Sequence, residues 1–477
     1  MRLSDADVAA RPSHWLRQAL AEDRALEPPL DGTVQADVCV VGGGYMGLWT
    51  AIRLADAGRS VVLLERDICG GGPSGRNSGM LLSAWSKIGA LAAHGTGAAA
   101  LEVIRASTEM IGEIRDFCAE EGIDCWFDPV GWVWGATCAA QDGAWTDALD
   151  RHDRLGAPPP ARRVSGEEIA AMTGSRAMVS GVFDATAATV HPGFLARGLR
   201  AAALRRGVRI HERSAMTGFT RQGEPVVTTA GGTVRAGHLV LAINAHSAGI
   251  PELAPAIFNI ASDDCASEPM PETLESAGYT RGPLMIDSRV FVAGWRVTRD
   301  GRLNAGVTGG AIGFGGRVDR RFDAPSPRVE AIRAALRFGH PALADFPLAT
   351  AWRGAIDRTA SGLPLFGRFA GNPRILYGYG FSGNGIGMTC LGGRLIADMI
   401  LERDTPLMGT PLVRPIRRGF PPEPFRFLGA HVVRHAVRAQ DRAEQSGRRP
   451  AAPWRVLAGL APSGVTPSKA NIKEDQP

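Results

Sequence analysis

Residues 36–80 run as an apolar strand, a glycine turn, a helix, a second strand and a second glycine-rich loop. Residues 38–41 are continuously apolar, as in a parallel strand buried on both faces. The turn follows as Gly42-Gly43-Gly44-Tyr45-Met46-Gly47. Gly42 permits the tight bend, Gly44 lets backbone approach a pyrophosphate, and Gly47 lets the next helix pack closely on the strand. That helix aims its amides and positive dipole end at the phosphate. Leu48, Ala51, Ile52 and Leu54 form its sheet-facing side, and Gly58 ends it. Residues 61–64 read as the second strand. Glu65 lies 18 residues after Gly47, near the spacing of roughly 20 at which a carboxylate grips ribose hydroxyls. An acid there disfavours a 2′-phosphate and argues against NADP. Together these features predict a dinucleotide site and not merely a glycine-rich turn.

At 477 residues, with 45% hydrophobic and 21% charged residues, the chain has the length for two or three domains and the composition of a soluble globular protein. No apolar run approaches the roughly 20 residues of a membrane span, and the N-terminus lacks a signal-peptide core. The seven cysteines (39, 69, 118, 125, 138, 265 and 390) are scattered without a CxxC. They read as buried thiols of a reducing compartment, so a cytoplasmic location is expected. His431 and His435 share helical spacing but sit among arginines, a poor metal site, and no metal is expected. Only three lysines occur, Lys87, Lys469 and Lys473, against 50 arginines. Lys87 alone lies in the body of the chain. A lysine kept against such a bias suggests a role that arginine cannot fill.

Helices are expected over residues 98–120 and 192–206, and a strand-like aromatic stretch over 125–134. Residues 208–211 read as a strand, 224–229 with 233–235 as a hairpin, and 238–243 as another buried parallel strand. A nucleotide domain assembled from separate segments follows. Between 256 and 349, short strands joined by glycine turns read as an antiparallel sheet. A third glycine cluster, Gly380-Phe381-Ser382-Gly383-Asn384-Gly385-Ile386-Gly387, separates a strand over 375–379 from a helix over 388–402. A helix start aimed at the anionic N1–O2 edge of a reduced flavin would favour that state.

These motifs, with Ser74-Gly75-Arg76-Asn77 and Ser382-Gly383-Asn384-Gly385, resemble the D-amino-acid oxidase/glycine oxidase superfamily of FAD-dependent amine oxidoreductases. Trp85-Ser86-Lys87, Trp352-Arg353-Gly354, Ile356-Asp357-Arg358, the run from Gly362 to Gly367 and Phe420-Pro421-Pro422-Glu423-Pro424 resemble its aminophosphonate oxidoreductase branch, with gamma-glutamylputrescine oxidoreductases as cousins. The resemblance implies an α/β fold: a discontinuous Rossmann-like FAD-binding domain and a D-amino-acid-oxidase-like substrate domain with a mixed or antiparallel sheet. The expected boundaries are an arm over 1–34, the FAD-binding domain over 35–95, 185–252 and 350–410, and the substrate domain over 96–184 and 253–349. A helical extension over 411–461 and a disordered tail over 462–477 complete the chain. The implied FAD contacts are Gly42, Gly44, Tyr45, Met46, Gly47, Glu65, Arg66, Ser74, Gly75, Arg76, Asn77, Ser78, Gly79, Met80, Met216, Gly383, Asn384, Gly385, Ile386 and Gly387.

The chain departs from relatives at Ser78, where glycine is more usual, at Gly294-Trp295, where aromatic pairs are common, and at Asn384, where cousins carry histidine. No cysteine stands where some relatives attach flavin, so FAD is expected to be non-covalent. The implied chemistry is hydride loss from the carbon beside a small amine's nitrogen, with oxygen or another acceptor reoxidising the flavin. Trp295 and Trp85 are expected walls of an apolar pocket. Arg296, Arg353 and Arg358 are expected hosts for an acidic group on the substrate. Lys87 is the expected catalytic residue, through a water at flavin N5 or through its charge on oxygen.

Ten arginines lie between Arg414 and Arg455. Phe425, Leu428, Val432 and Ala436 fall at helical spacing, which favours a helix packed on the body over a nucleic-acid surface. Three functions remain in play: an oxidase or dehydrogenase of a small acidic amine, with a gamma-glutamylputrescine or polyamine oxidase as its variant; a flavoprotein acting on tRNA; and a nucleotide-binding regulator without turnover. The oligomeric state is not legible in the sequence.

Overall fold

The computed structural model describes residues 1–462, 464 and 466. Two large sheets share the work. In the first, the order is Leu365–Phe369, Asn372–Tyr379, Gly232–Leu241, Gly32–Val41, Val61–Leu64 and Arg209–His211. All neighbouring pairs are parallel except the first hairpin. The first strand starts at Gly32, ahead of the apolar run at 38–41, because it pairs in register with Gly232–Leu241 from Gly32 onward. Its apolar end, Val38 to Val41, is buried, as the continuous apolar run requires. Helix Tyr45–Asp56 crosses back over this sheet and packs against helix Ile386–Ile400. There a Cβ on Gly393 would lie 2.6 Å from Trp49 Cβ.

The second sheet runs Leu348–Arg358, Phe258–Ser267, Leu303–Val307, Ala293–Val297, Leu284–Asp287, Trp132–Ala136, Ser180–Asp184 and Ala161–Ser165. It is antiparallel except where Leu284–Asp287 meets Trp132–Ala136, so the sheet is mixed. The strand in the aromatic stretch covers Trp132–Ala136 only. Two placements differ from the sequence reading. Leu348–Arg358 pairs along its length with Phe258–Ser267, in the second sheet, although it was expected to open the third cofactor segment. Helix Gly97–Glu120, expected on the substrate side, packs against helix Ile386–Ile400.

The C-terminal helix, Phe425–Gln445, forms as expected but faces the other way. Ala436 and Val437 are buried, whereas Phe425, Leu428 and Val432 are exposed. Its arginines hold it down: Arg434 and Arg438 donate to the carbonyls of Gly310 and Gly309 at 2.7 and 3.0 Å. Among the described residues no helix is long and apolar enough to cross a membrane, and no cluster of metal-ligating groups forms.

Candidate active site

The glycine turn is enforced by close backbone packing. Gly42 has φ +115°, and a Cβ there would sit 2.4 Å from Ala242 O, on the neighbouring strand. A Cβ on Gly47 would lie 1.9 Å from Gly42 O. Only glycine fits either position. Glu65, at the end of the second strand, accepts hydrogen bonds from Gly43 N at 2.7 Å and Asp67 N at 2.9 Å. Burial nevertheless raises its carboxyl above the ordinary value. The N-cap residues of this helix and of the later one, Gly44 and Gly385, have no side chain to cap them, and apart from Tyr45 N, which meets Ser74 Oγ, both helix starts are suited to an anionic ligand.

The turn leads into a cleft. Tyr45 N donates to Ser74 Oγ at 2.9 Å, tying the first glycine turn to the second. Tyr45, Ser74, Arg76, Asn77, Ser78 and Met80 line one side, and Gly383, Gly385 and Ile386 close the far end. Asn77 shapes the loop: its Nδ2 donates to Pro73 O and Ser74 O, and its Oδ1 accepts from Gly79 N. Gly79 has φ +71°, and a Cβ there would meet Val190 O at 2.1 Å. The opposite wall belongs to the second sheet and is largely apolar, with Ile286, Val292, Val307 and Ile356.

Two buried carboxylates stand at this boundary, and sequence reasoning assigned neither a role. Asp264 lines the cleft and accepts from Ser78 Oγ at 2.6 Å, Asn304 Nδ2 at 2.8 Å and Cys265 N at 3.0 Å. Burial outweighs these donors and pushes its carboxyl up to about 7. Ser78, unusual for this loop, thereby acquires a reason: its hydroxyl joins the loop to the second sheet. The signal available was the pair Asp263-Asp264 inside an otherwise strand-like run. Asp357, also pushed up to about 7 by burial, accepts from Gly380 N and from Phe381 N, the latter at 3.2 Å. It also pairs with the side chain of Asn244, a cleft residue held at φ +47°. Left-handed backbone at a non-glycine residue is uncommon outside turns and functional sites. Asp357 thus anchors the third glycine loop to the last strand of the second sheet.

The other expected contacts fall beside the cleft. Gly75 packs on Gly70 O and Gly387 on Met110, where a Cβ would lie 2.4 and 2.1 Å from its neighbour. Asn384 is buried, donates weakly to Ser83 O at 3.4 Å, and leaves its Oδ1 without a partner. Met46 is buried against Gly378. Met216 is half-buried against the core of the first sheet and Arg66 is exposed.

The expected substrate residues are largely redirected. Trp295 is fully buried in the core behind the second sheet, against Gly339; strand alternation sends its ring away from the cleft. Its neighbour Gly294 lines the cleft, and a Cβ there would meet Met80 Cε at 2.8 Å. Trp85 is fully buried beside Trp132 and Trp134, its Nε1 donating to Asp184 at 3.0 Å. Arg296 clamps the second glycine loop from behind, donating to Ser78 O at 2.7 Å and Val190 O at 2.9 Å, with its guanidinium 5.1 Å over Trp15. Arg353 is spent on Asp263 at 2.7 Å. Lys87 is buried in a short turn and donates to Gly464 O. Burial and the nearby Arg358 cation push its ammonium down to about 7. Arg358 donates to Pro462 O at 3.0 Å, leaves Nε without a partner, and is pushed down to about 10 by burial. Pro462, Gly464 and Thr466 belong to the stretch expected as a disordered tail; its remainder lies outside the described residues.

The residues present fit FAD: glycines at 42 and 47 that backbone contacts make obligatory, two helix starts with glycine at the N-cap, a carboxylate at the end of the second strand, and a cleft lined by both later glycine loops. Comparisons agree. Residues 37–399 match the family described as DAO, FAD dependent oxidoreductase. The chain is 30% identical over 374 residues to gamma-glutamylputrescine oxidoreductase of Escherichia coli (strain K12), covering 78% of this chain and 85% of that protein. It is 27% identical over 386 residues to glycine oxidase of Pseudomonas aeruginosa, covering 77% and 95%. In fold it is similar to glycine oxidase from Geobacillus kaustophilus (TM-score 0.63, 20% identity, 78% of this chain and 96% of that one) and to L-proline dehydrogenase from P. horikoshii (TM-score 0.65, 20% identity, 80% and 98%). That fit and the match across most of the chain lead to one conclusion: this protein belongs to the DAO family of FAD-dependent oxidoreductases.

Proposed function

We propose that the chain oxidises the CH–NH bond of a small primary or secondary amine bearing an acidic group, aminophosphonate-like or amino-acid-like. The observation that carries this reading is the continuity of the cleft, from the second and third glycine loops to a largely apolar wall on the second sheet that carries two buried carboxylates: Asp357, engaged by the third glycine loop, and Asp264. Bound FAD, held non-covalently, supplies an acceptor for the hydride and its electron pair; the resulting imine is hydrolysed by water to an aldehyde or ketone and an amine or ammonia. The chain's own residues set the conditions. Ile286, Val292 and Ile356 exclude water and disfavour an ammonium ion, which cannot give up hydride. Asp264, with its carboxyl near 7, is suited to take the proton that the amine must lose.

Of the expected cation hosts, Arg296 and Arg353 are committed elsewhere. Arg358 forms no ion pair among the described residues and keeps its Nε without a hydrogen-bond partner, so of the three expected hosts it is the proposed partner of the acidic group, with Lys87 beside it. Residues 35–95, 185–252 and much of 350–410 form the proposed cofactor unit, and the second sheet forms the substrate unit. The described cysteines are all free, which supports a reducing, cytoplasmic compartment. Anaerobic bleaching of the flavin by a panel containing 2-aminoethylphosphonate, its N-methyl form, glycine and gamma-glutamylputrescine tests the reading. Reduction by at least one acidic amine is expected; no reduction across the panel overturns it.

A further inference from the structure

The C-terminal helices present an apolar surface with a cationic rim. Phe425, Leu428 and Val432 recur along one side of helix Phe425–Gln445, and Phe425 is 68% exposed. The shorter helix Ala452–Ala458 packs against it, with Trp454 and His435 rings 5.2 Å apart. It adds Val456 at 70% exposure, and Leu460 follows at 67%. Arg442 on the long helix, Arg448 and Arg449 between the two helices and Arg455 on the shorter one are exposed as well. The acids of the same region, Glu423, Asp441 and Glu444, are all at least half-buried. Glu423 accepts from Gly315 N and Phe427 N, and burial raises the Asp441 carboxyl to about 7. The region's exposed charge is therefore positive. It also lies outside residues 37–399, the part that matches the family.

We infer that this face docks on an anionic lipid bilayer, lying in the headgroup layer without crossing it. Aliphatic and aromatic side chains standing out of a helix, surrounded by arginines, are what an interfacial helix requires: apolar area for the acyl boundary and cations for the lipid phosphates. Charge decides against the other occupants. A second copy docked symmetrically would set one arginine rim against another. Nucleic acid would leave Leu428, Val432, Val456 and Leu460 without partners, because bases stack on aromatic rings. The anchoring is rigid, since Arg434 and Arg438 fasten the long helix to Gly310 and Gly309. That turn adjoins Thr308, which lines the cleft, so docking orients the cleft relative to the bilayer. The inference does not depend on which amine is the substrate.

Co-sedimentation of the FAD-loaded full chain with vesicles tests it. Vesicles of equal parts phosphatidylglycerol and phosphatidylcholine are expected to retain the protein, with release by high salt; pure phosphatidylcholine is expected to bind far less. Arg448→Gln with Arg449→Gln should weaken binding by about tenfold or more. Leu428→Ser with Leu460→Ser should weaken it at every salt concentration. Both variants alter exposed side chains only, and their flavin spectrum and Tm should match the parent. No binding to the anionic vesicles, or binding unchanged in both variants, overturns the inference. So does light scattering that shows a dimer lost specifically in the Leu428→Ser, Leu460→Ser protein, or equally tight binding to single-stranded RNA.

Discussion

The cleft has two sides that arise in different ways. The cofactor side is built from backbone, within short stretches of chain: a strand end, a glycine turn, a helix start. The substrate side is built from side chains on Phe258–Ser267, Leu284–Asp287, Leu303–Val307 and Leu348–Arg358, which tertiary pairing brings together from 258 to 358. The first tolerates no side chain at Gly42, Gly47 and Gly79, where a Cβ would fall within 2.4 Å of a backbone carbonyl oxygen. The second combines a glycine at the cleft, Gly294, with a carboxylate, Asp264, that a loop serine reaches.

The contrast predicts a graded series of effects. Gly47→Val should be the most damaging, because its Cβ would overlap Gly42 O; loss of FAD retention or of soluble protein is expected, and a yellow, active variant would break the view that the cofactor side is fixed by backbone. Glu65→Ala should follow. It removes the acceptor for two amides, at about 1–3 kcal/mol for each donor left unsatisfied, and FAD affinity measured by flavin fluorescence should fall by tenfold or more.

On the substrate side, Arg358→Gln should raise KM for acidic amines by about tenfold to a hundredfold, the scale of a lost charged hydrogen bond, while uncharged amines change little. Equal effects on both would separate Arg358 from the acidic group. Smaller still are two pH effects on stability. Asp264 has its carboxyl raised to about 7 from an ordinary 3.8. Between those values the folded chain holds a proton that the unfolded chain has lost, so this group's contribution to stability falls as pH rises from 3.8 to about 7. Denaturant titrations should show Asp264→Asn gaining on the parent across that window; a constant difference would contradict the burial of the charge. Lys87 runs the opposite way. Its ammonium is lowered to about 7 from 10.5, so its penalty is full below 7 and is relieved as pH rises towards 10.5. Lys87→Met should therefore stabilise most near neutrality and least at high pH.

Much of the cofactor side was legible in the residues. The turn at Gly42–Gly47, Glu65 and the loop at 74–80 are short-range patterns, and hydrogen bonds from Gly43 N to Glu65 and from Tyr45 N to Ser74 join them. Ser74, Asn77 and Ser78 were named, but their partners, Tyr45 N, Gly79 N and Asp264, appear only in three dimensions. On the substrate side, Trp295 was expected as an apolar wall and Arg296 as a host for an acidic group. Alternation and packing turned Arg296 into a clamp behind the second glycine loop and Trp295 into core. The apolar stripe from Phe425 to Ala436 was correctly periodic, yet periodicity does not say which face is buried. Arg434 and Arg438 found carbonyl acceptors, and the helix settled with most of the stripe outward.

By itself, the sequence determined the dinucleotide turn and the three glycine loops, because each depends on steric limits within about ten residues of chain, and through the resemblance those motifs carry it also led to the α/β fold and the FAD-dependent family. Tertiary structure alone decided which charges face the cleft. Asp264 and Asp357 entered it, Arg296 and Arg353 were taken up by Ser78 O and Asp263, and Arg358 was left beside the wall. The reason is energetic. A buried charge takes whatever partner the packed fold places within reach, and those partners lie tens to hundreds of residues away in the chain.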